Sequence, residues 1–119
     1  MGLKIGKIWG TTECLLKTPL IEVHLLHIKP HSQCSLHKHL YKWNAFLVQS
    51  GTLIIEVTKN NYPLVDKTVL HSGEMTTVQP GELHRFLTGD AATVAIEIYY
   101  PEELSEDIER INCGSSGVS

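Results

Sequence analysis

Several things are missing from this 119-residue chain, and each absence removes a class of function. No C-x-x-C pair occurs, and Cys14, Cys34 and Cys113 are odd in number and widely spaced. Neither a disulfide framework nor a zinc ribbon fits that pattern, so reduced thiols acting as small hydrophobes are expected. No apolar run approaches the roughly 20 residues needed to cross a bilayer, so no membrane association is expected. The opening Met1–Lys7 has no signal-peptide core, and Lys7 stands near where a myristoylation signal wants Ser or Thr; a cytoplasmic location is the expectation. A formal net charge of −3 leaves no basic footprint, which argues against nucleic acid as a partner. Internal repeats and linkers are lacking too. One domain over 1–119 is expected, with a barrel at about 3–100, a helix at about 101–111 and a flexible tail over 112–119.

What is present is a series of short β-rich runs punctuated by turn chemistry. Leu3–Trp9 and Glu13–Lys17 flank Gly10-Thr11-Thr12, and Leu20–Ile28 is a longer strand with Ile21, Val23 and Leu25 on one face. Pro30-His31-Ser32 turns the chain, Ser35–His39 is extended, and Ser50-Gly51 joins two strands as a hairpin. Asn60–Pro63 reads as a loop. Further strands follow over Thr68–His71, Met75–Val78 and His84–Leu87, and Ala92–Tyr100 is the last, with Val94, Ile96 and Ile98 expected on its core face. Pro101, Glu102 and Glu103 suit a helix start, and Leu104, Ile108 and Ile111 recur at helical spacing. Many short strands with evenly spaced turns mark an all-β sandwich or barrel.

The chemistry concentrates in two places. His37-Lys38-His39 puts two imidazoles at i and i+2, which share a face on an extended segment. Pro80-Gly81-Glu82-Leu83-His84 delivers a third at the head of an apolar run. Imidazole is the commonest protein ligand for late first-row metals, and three of them with an open position describe a working site. One divalent ion (zinc, iron, manganese, nickel or cobalt) is therefore expected on His37, His39 and His84, with Asn44 either a further ligand through its carbonyl oxygen or a hydrogen-bond partner of a bound water. His24 on the long strand is a candidate for moving a proton, or else a strand histidine satisfied by a hydrogen bond. His27, His31 and His71 are read as surface, Phe46, Phe86 and Trp43 as packing, and Arg85 as facing away from the metal.

These segments resemble the cupin superfamily. His37-Lys38-His39 is followed after four residues by Asn44 and after six more by Gly51, and Gly73, Pro80-Gly81 and His84 match the second motif. The resemblance implies an antiparallel double-stranded β-helix, the cupin or jelly-roll barrel, here with a short C-terminal helix. A narrower likeness is to the cupin domain of type II mannose-6-phosphate isomerases. Ser35-Leu36-x-x-His39, Phe46–Thr52, Ile96-Glu97-Ile98 and Glu106–Arg110 are similar to segments of that family. Where the family has Gln, Arg and Glu, this chain has His37, Lys42 and Asn44; the resemblance implies that Lys42, in the Arg position, binds phosphate or steadies an oxyanion, the alternative being a solvated turn lysine. The resemblance implies a metal-dependent isomerase or epimerase acting on a sugar or sugar phosphate. Two alternatives stand beside it: a non-catalytic sugar-binding module, and a three-histidine iron dioxygenase. A homodimer is expected because such barrels leave edges that pairing covers.

Overall fold

The computed structural model describes residues 3–58, 64–101, 111 and 113–117. Nine strands follow one another: β1 (Lys4–Lys7), β2 (Gly10–Lys17), β3 (Glu22–Ile28), β4 (Lys42–Ser50), β5 (Leu53–Thr58), β6 (Val65–Leu70), β7 (Met75–Val78), β8 (Leu83–Leu87) and β9 (Thr93–Pro101). They form a six-stranded sheet of order β1-β2-β3-β9-β4-β7 and a three-stranded sheet of order β6-β5-β8, and every pairing is antiparallel.

The core lies between the two sheets. Leu26, Ile28, Phe46, Val48, Val78 and Ala95 come from the larger sheet, and Leu53, Ile55, Leu70 and Phe86 from the smaller. Buried Cys34 completes it from the segment leading to the histidines, with its Sγ accepting the Phe86 N–H at 3.2 Å. Burial pushes that thiol up to about 11, so it is a packing group, not a nucleophile. Trp9 closes the core edge-on to Phe86 at 5.0 Å.

Two faces differ from the sequence pattern. On β9 the buried residues are Thr93, Ala95 and Glu97, while Val94, Ile96 and Ile98 are only half-buried on the outer side. On β3 Leu26 and Ile28 are buried, while Val23 and Leu25 lie outside in register with Ile98 and Ile96. Alternation assigns two faces to a strand but not which is inside when both carry apolar residues. The expected loop at 60–63 lies outside the described residues, as does the helix over 101–111 for its residues 102–110. Pro101, expected in the first turn of that helix, is instead the last residue of β9.

The cross-strand register sorts the inner face by polarity. Glu22, Tyr99 and Asn44 form one row across β3, β9 and β4, and His24, Glu97 and Phe46 form the next. Beyond them, Leu26, Ala95 and Val48 form an apolar row. One end of the inner face is thus polar and the rest is packed hydrocarbon.

The β4–β5 turn shows how tightly the sheets close. Gly51 and Gly73 share a φ of +85°, but a Cβ on Gly51 would meet Ala92 O and Thr93 Oγ1 at 2.6 Å, whereas Gly73 has nothing within 4 Å. Gly51→Ala should therefore destabilise by about 1–3 kcal/mol more than Gly73→Ala, because only the first adds a clash to the same backbone strain. Urea unfolding of both variants checks this; equal losses would mean that the turn relaxes freely.

Candidate metal centre

The segment before β4 is not a regular strand. It is pinned to β8 by one reciprocal backbone pair: His37 N–H donates to His84 O at 3.0 Å, and His84 N–H donates to His37 O at 2.8 Å. Residues opposed in this way project from the same face, so the bridge brings two distant imidazoles together. Gly81 N–H donates to His39 O at 2.7 Å, which ties the third histidine to the turn that precedes β8. The ring centroids lie 4.6 Å apart for His37–His84, 5.1 Å for His37–His39 and 5.6 Å for His39–His84. One nitrogen from each ring falls within 4.8 Å of the other two, so the trio can hold a metal ion.

Hydrogen bonding fixes the tautomers. His37 Nδ1–H donates to Ser35 O at 2.7 Å, and His84 Nδ1–H donates to Glu82 O at 3.0 Å. A carbonyl only accepts, so each ring carries its proton on Nδ1 and presents the Nε2 lone pair. The His39 Nε2 is buried with no partner, and so is Asn44 Oδ1. Buried polar atoms without partners are rare, and His39 belongs to the trio while Asn44 adjoins it through Nδ2. Three imidazole nitrogens suit a borderline divalent ion, so the donor set fits a metal.

Burial favours the neutral form of His39 and His84. Burial, with His37, His84 and Lys42 adding repulsion, lowers His39 to about 4. Burial likewise lowers His84, which is 1% exposed. Neutral rings are the ligating form, so the fold prepares the site at physiological pH.

Asn44, fully buried on β4, turns its Nδ2 toward Glu97 Oε2 at 3.1 Å and toward His84 Nε2 at 3.3 Å. Sequence reasoning missed Glu97, having put it on the outer face of the last strand. Burial raises this carboxyl above the ordinary carboxylate range, against the opposing effect of hydrogen bonds from Asn44 and Tyr99. The signal available was an acid in a strand whose other residues of that parity, Thr93, Ala95 and Tyr99, carry no charge.

His24 and Lys42 border the cluster without joining it. His24 is half-buried, with Nε2 at 3.1 Å from Glu22 Oε2 and Nδ1 at 3.5 Å from Thr12 Oγ1. The Lys42 Nζ lies over the Tyr99 ring at 4.4 Å, and that ring meets His39 edge-on at 5.1 Å. His27, His31 and His71 are exposed, and Phe46 and Phe86 are core, as expected. Arg85 points away and donates from Nε to Glu56 Oε1 at 2.6 Å.

The neutral cluster has a cost in acid. In the unfolded chain a histidine takes its proton near 6.5, whereas folded His39 stays neutral to about 4. Between those values the unfolded state binds more protons, so stability falls as pH falls. Thermal unfolding of chelator-treated protein should show a declining midpoint from pH 6.5 to 4, and a shallower decline in His39→Phe. A flat profile across that window would contradict the burial of this ring.

The family model described as mannose-6-phosphate isomerase C-terminal matches residues 2–113. No curated protein matches the chain significantly. Among solved structures, CapF, the capsular polysaccharide assembling protein of Staphylococcus aureus, is similar with a TM-score of 0.76 and 20% identity. That match covers 88% of this chain but 32% of CapF, so the chain spans about a third of its relative. KdgF from a Halomonas species is 13% identical with a TM-score of 0.69, over 82% of this chain and 84% of that one. The Bacillus subtilis oxalate decarboxylase, which has Mn(II) centres, is 10% identical with a TM-score of 0.75, over 87% of this chain and 28% of that one. At these identities the structural likeness shows the fold alone: a cupin. The match of the family model over nearly the whole chain goes further, and the protein belongs to the mannose-6-phosphate isomerase C-terminal family of cupins.

Proposed function

We propose that the protein is a metal-dependent cupin enzyme that moves a proton within a sugar or sugar phosphate, as an isomerase or epimerase does. The observation that carries this reading is the convergence of His37, His39 and His84 with one nitrogen each within 4.8 Å. These three would hold one divalent ion, with the orphaned Asn44 Oδ1 as a fourth donor. Such an ion, when bound, polarises a carbonyl and its neighbouring hydroxyl, which makes the C–H between them acidic.

The chain's own residues supply the rest. His24 is the proton carrier in this reading, since the Glu22 carboxylate at 3.1 Å orients the ring and steadies its cation. Lys42, free of any carboxylate contact within salt-bridge reach among the described residues, offers its ammonium to the oxygen on which negative charge builds. Glu97, whose carboxyl burial raises, accepts from Asn44 Nδ2 at 3.1 Å and in this reading anchors the donor set.

A second reading, a non-catalytic sugar-binding module, draws its support from Asn44. An amide stands where the resembling family has a carboxylate, so the centre lacks an anionic ligand and a proton acceptor at once.

Metal analysis and turnover separate the two. The wild type should carry near-stoichiometric metal, and His37→Ala, His39→Ala and His84→Ala should each lose it. Lys42→Ala should keep its metal yet lose about 10²-fold or more in kcat on hexose phosphates. Metal without turnover on any sugar or sugar phosphate would favour the binding module, and no metal after reconstitution would sink the enzyme reading and leave a binding module.

A further inference from the structure

Next to the histidine cluster, between the β2–β3 turn and the adjoining ends of β4 and β9, lies a pocket of about 250 Å³. It is smaller than pockets for drug-sized ligands, which run from roughly 300 to 1,000 Å³, and suits a single ring. Tyr99 is the wall shared with the cluster, since its ring meets His39 and also lines the pocket. Tyr41 and Tyr100 add two more aromatic groups, and Pro19 an apolar surface. Glu22 and Lys42 are the charged residues of the lining.

The charges decide what fits. Glu22 is ionised: the His24 hydrogen bond, with Lys17 and Lys42 nearby, holds its carboxyl below the usual range despite some burial. Lys17 Nζ lies 3.8 Å from Glu22 Oε1, and Lys42 rests on the Tyr99 face. Within the lining, one carboxylate and one ammonium oppose each other, with Lys17 behind the carboxylate and outside the pocket, so an anion there is attracted by one and repelled by the other. An uncharged polyol gains from both, because its hydroxyls donate to the carboxylate and accept from the ammonium while its C–H face lies on tyrosine.

We infer that this pocket holds an uncharged hydroxylated ring, a sugar residue without phosphate, adjoining the group that reacts at the histidines. The substrate is then a glycoside or short saccharide instead of a lone sugar phosphate. This rests on the proposed carbohydrate reading and narrows its substrate class.

Calorimetric titration of the purified protein, metal-loaded and chelator-treated, with methyl α-mannopyranoside, methyl α-glucopyranoside, mannose 6-phosphate and inorganic phosphate tests it. At least one neutral glycoside should bind both forms, more tightly than either phosphate compound. Tyr41→Ala, at a residue 85% exposed and so harmless to folding, and Glu22→Gln should each weaken that binding about five- to tenfold without changing metal content. Preference for mannose 6-phosphate, lost in Lys42→Ala, would overturn the inference in favour of an anion subsite. So would the absence of glycoside binding, or binding indifferent to both substitutions. The metal reading fails separately: His39→Ala should lose the ion and keep the glycoside.

Discussion

One reciprocal pair of backbone hydrogen bonds, between His37 and His84, is what the site depends on. It joins an irregular segment to the edge of β8 and, with Cys34 N–H donating to Phe86 O and the Gln33–Leu87 bridge, sets the register between them. Side chains alternate along a strand, so a slip of one residue would turn His84 outward and bring Leu83 or Arg85 to the inner face. Arg85 is held outward by Glu56 on β5, which also receives Lys67 from β6, so the outer ion cluster and the inner imidazoles enforce the same register from opposite faces. The pair also covers β8, which would otherwise be an open edge.

The donor set shows how hydrogen bonding prepares a site before any ion arrives. Ser35 and Glu82 carbonyls take the Nδ1 protons of His37 and His84, and desolvation keeps His39 and His84 neutral. Behind them stands Asn44, anchored by Glu97. Exchanging a carboxylate ligand for an amide moves negative charge out of the centre. A bound ion would keep more of its charge, which suits polarising a neutral oxygen better than generating a base.

Much of this was legible in the sequence, and the limits have physical causes. Turn residues such as Gly51, Gly73 and Pro80-Gly81 mark strand ends whatever the tertiary context, so the hairpins and the histidine spacings could be read directly. The inside of β3 and β9 could not be read that way. Val94, Ile96 and Ile98 make the more apolar face of β9, yet Thr93, Ala95 and Glu97 face inward, and only Glu97 of these lies in the polar rows. Glu97 was hidden by the same inversion: an acid in a strand is expected outside unless its partners are known, and Asn44 lies 53 residues away. Lys42 and His24 both touch the Tyr99 ring that meets His39, a proximity that spacing along the chain does not reveal.

The polarity gradient along the inner face also bears on how evenly the barrel holds together. Leu26, Ile28, Val48, Leu53 and Ile55 concentrate apolar burial toward one half, whereas the rows of Glu22, His24, Asn44, Glu97 and Tyr99 give up hydrocarbon contact to hold polar groups. Hydrophobic burial is the main resistance to local opening, so the two halves should exchange their amide protons at different rates. The mouth would open often while the far half stays shut, giving a ligand repeated access without exposing the core. In this reading the barrel is a rigid cup with a compliant rim.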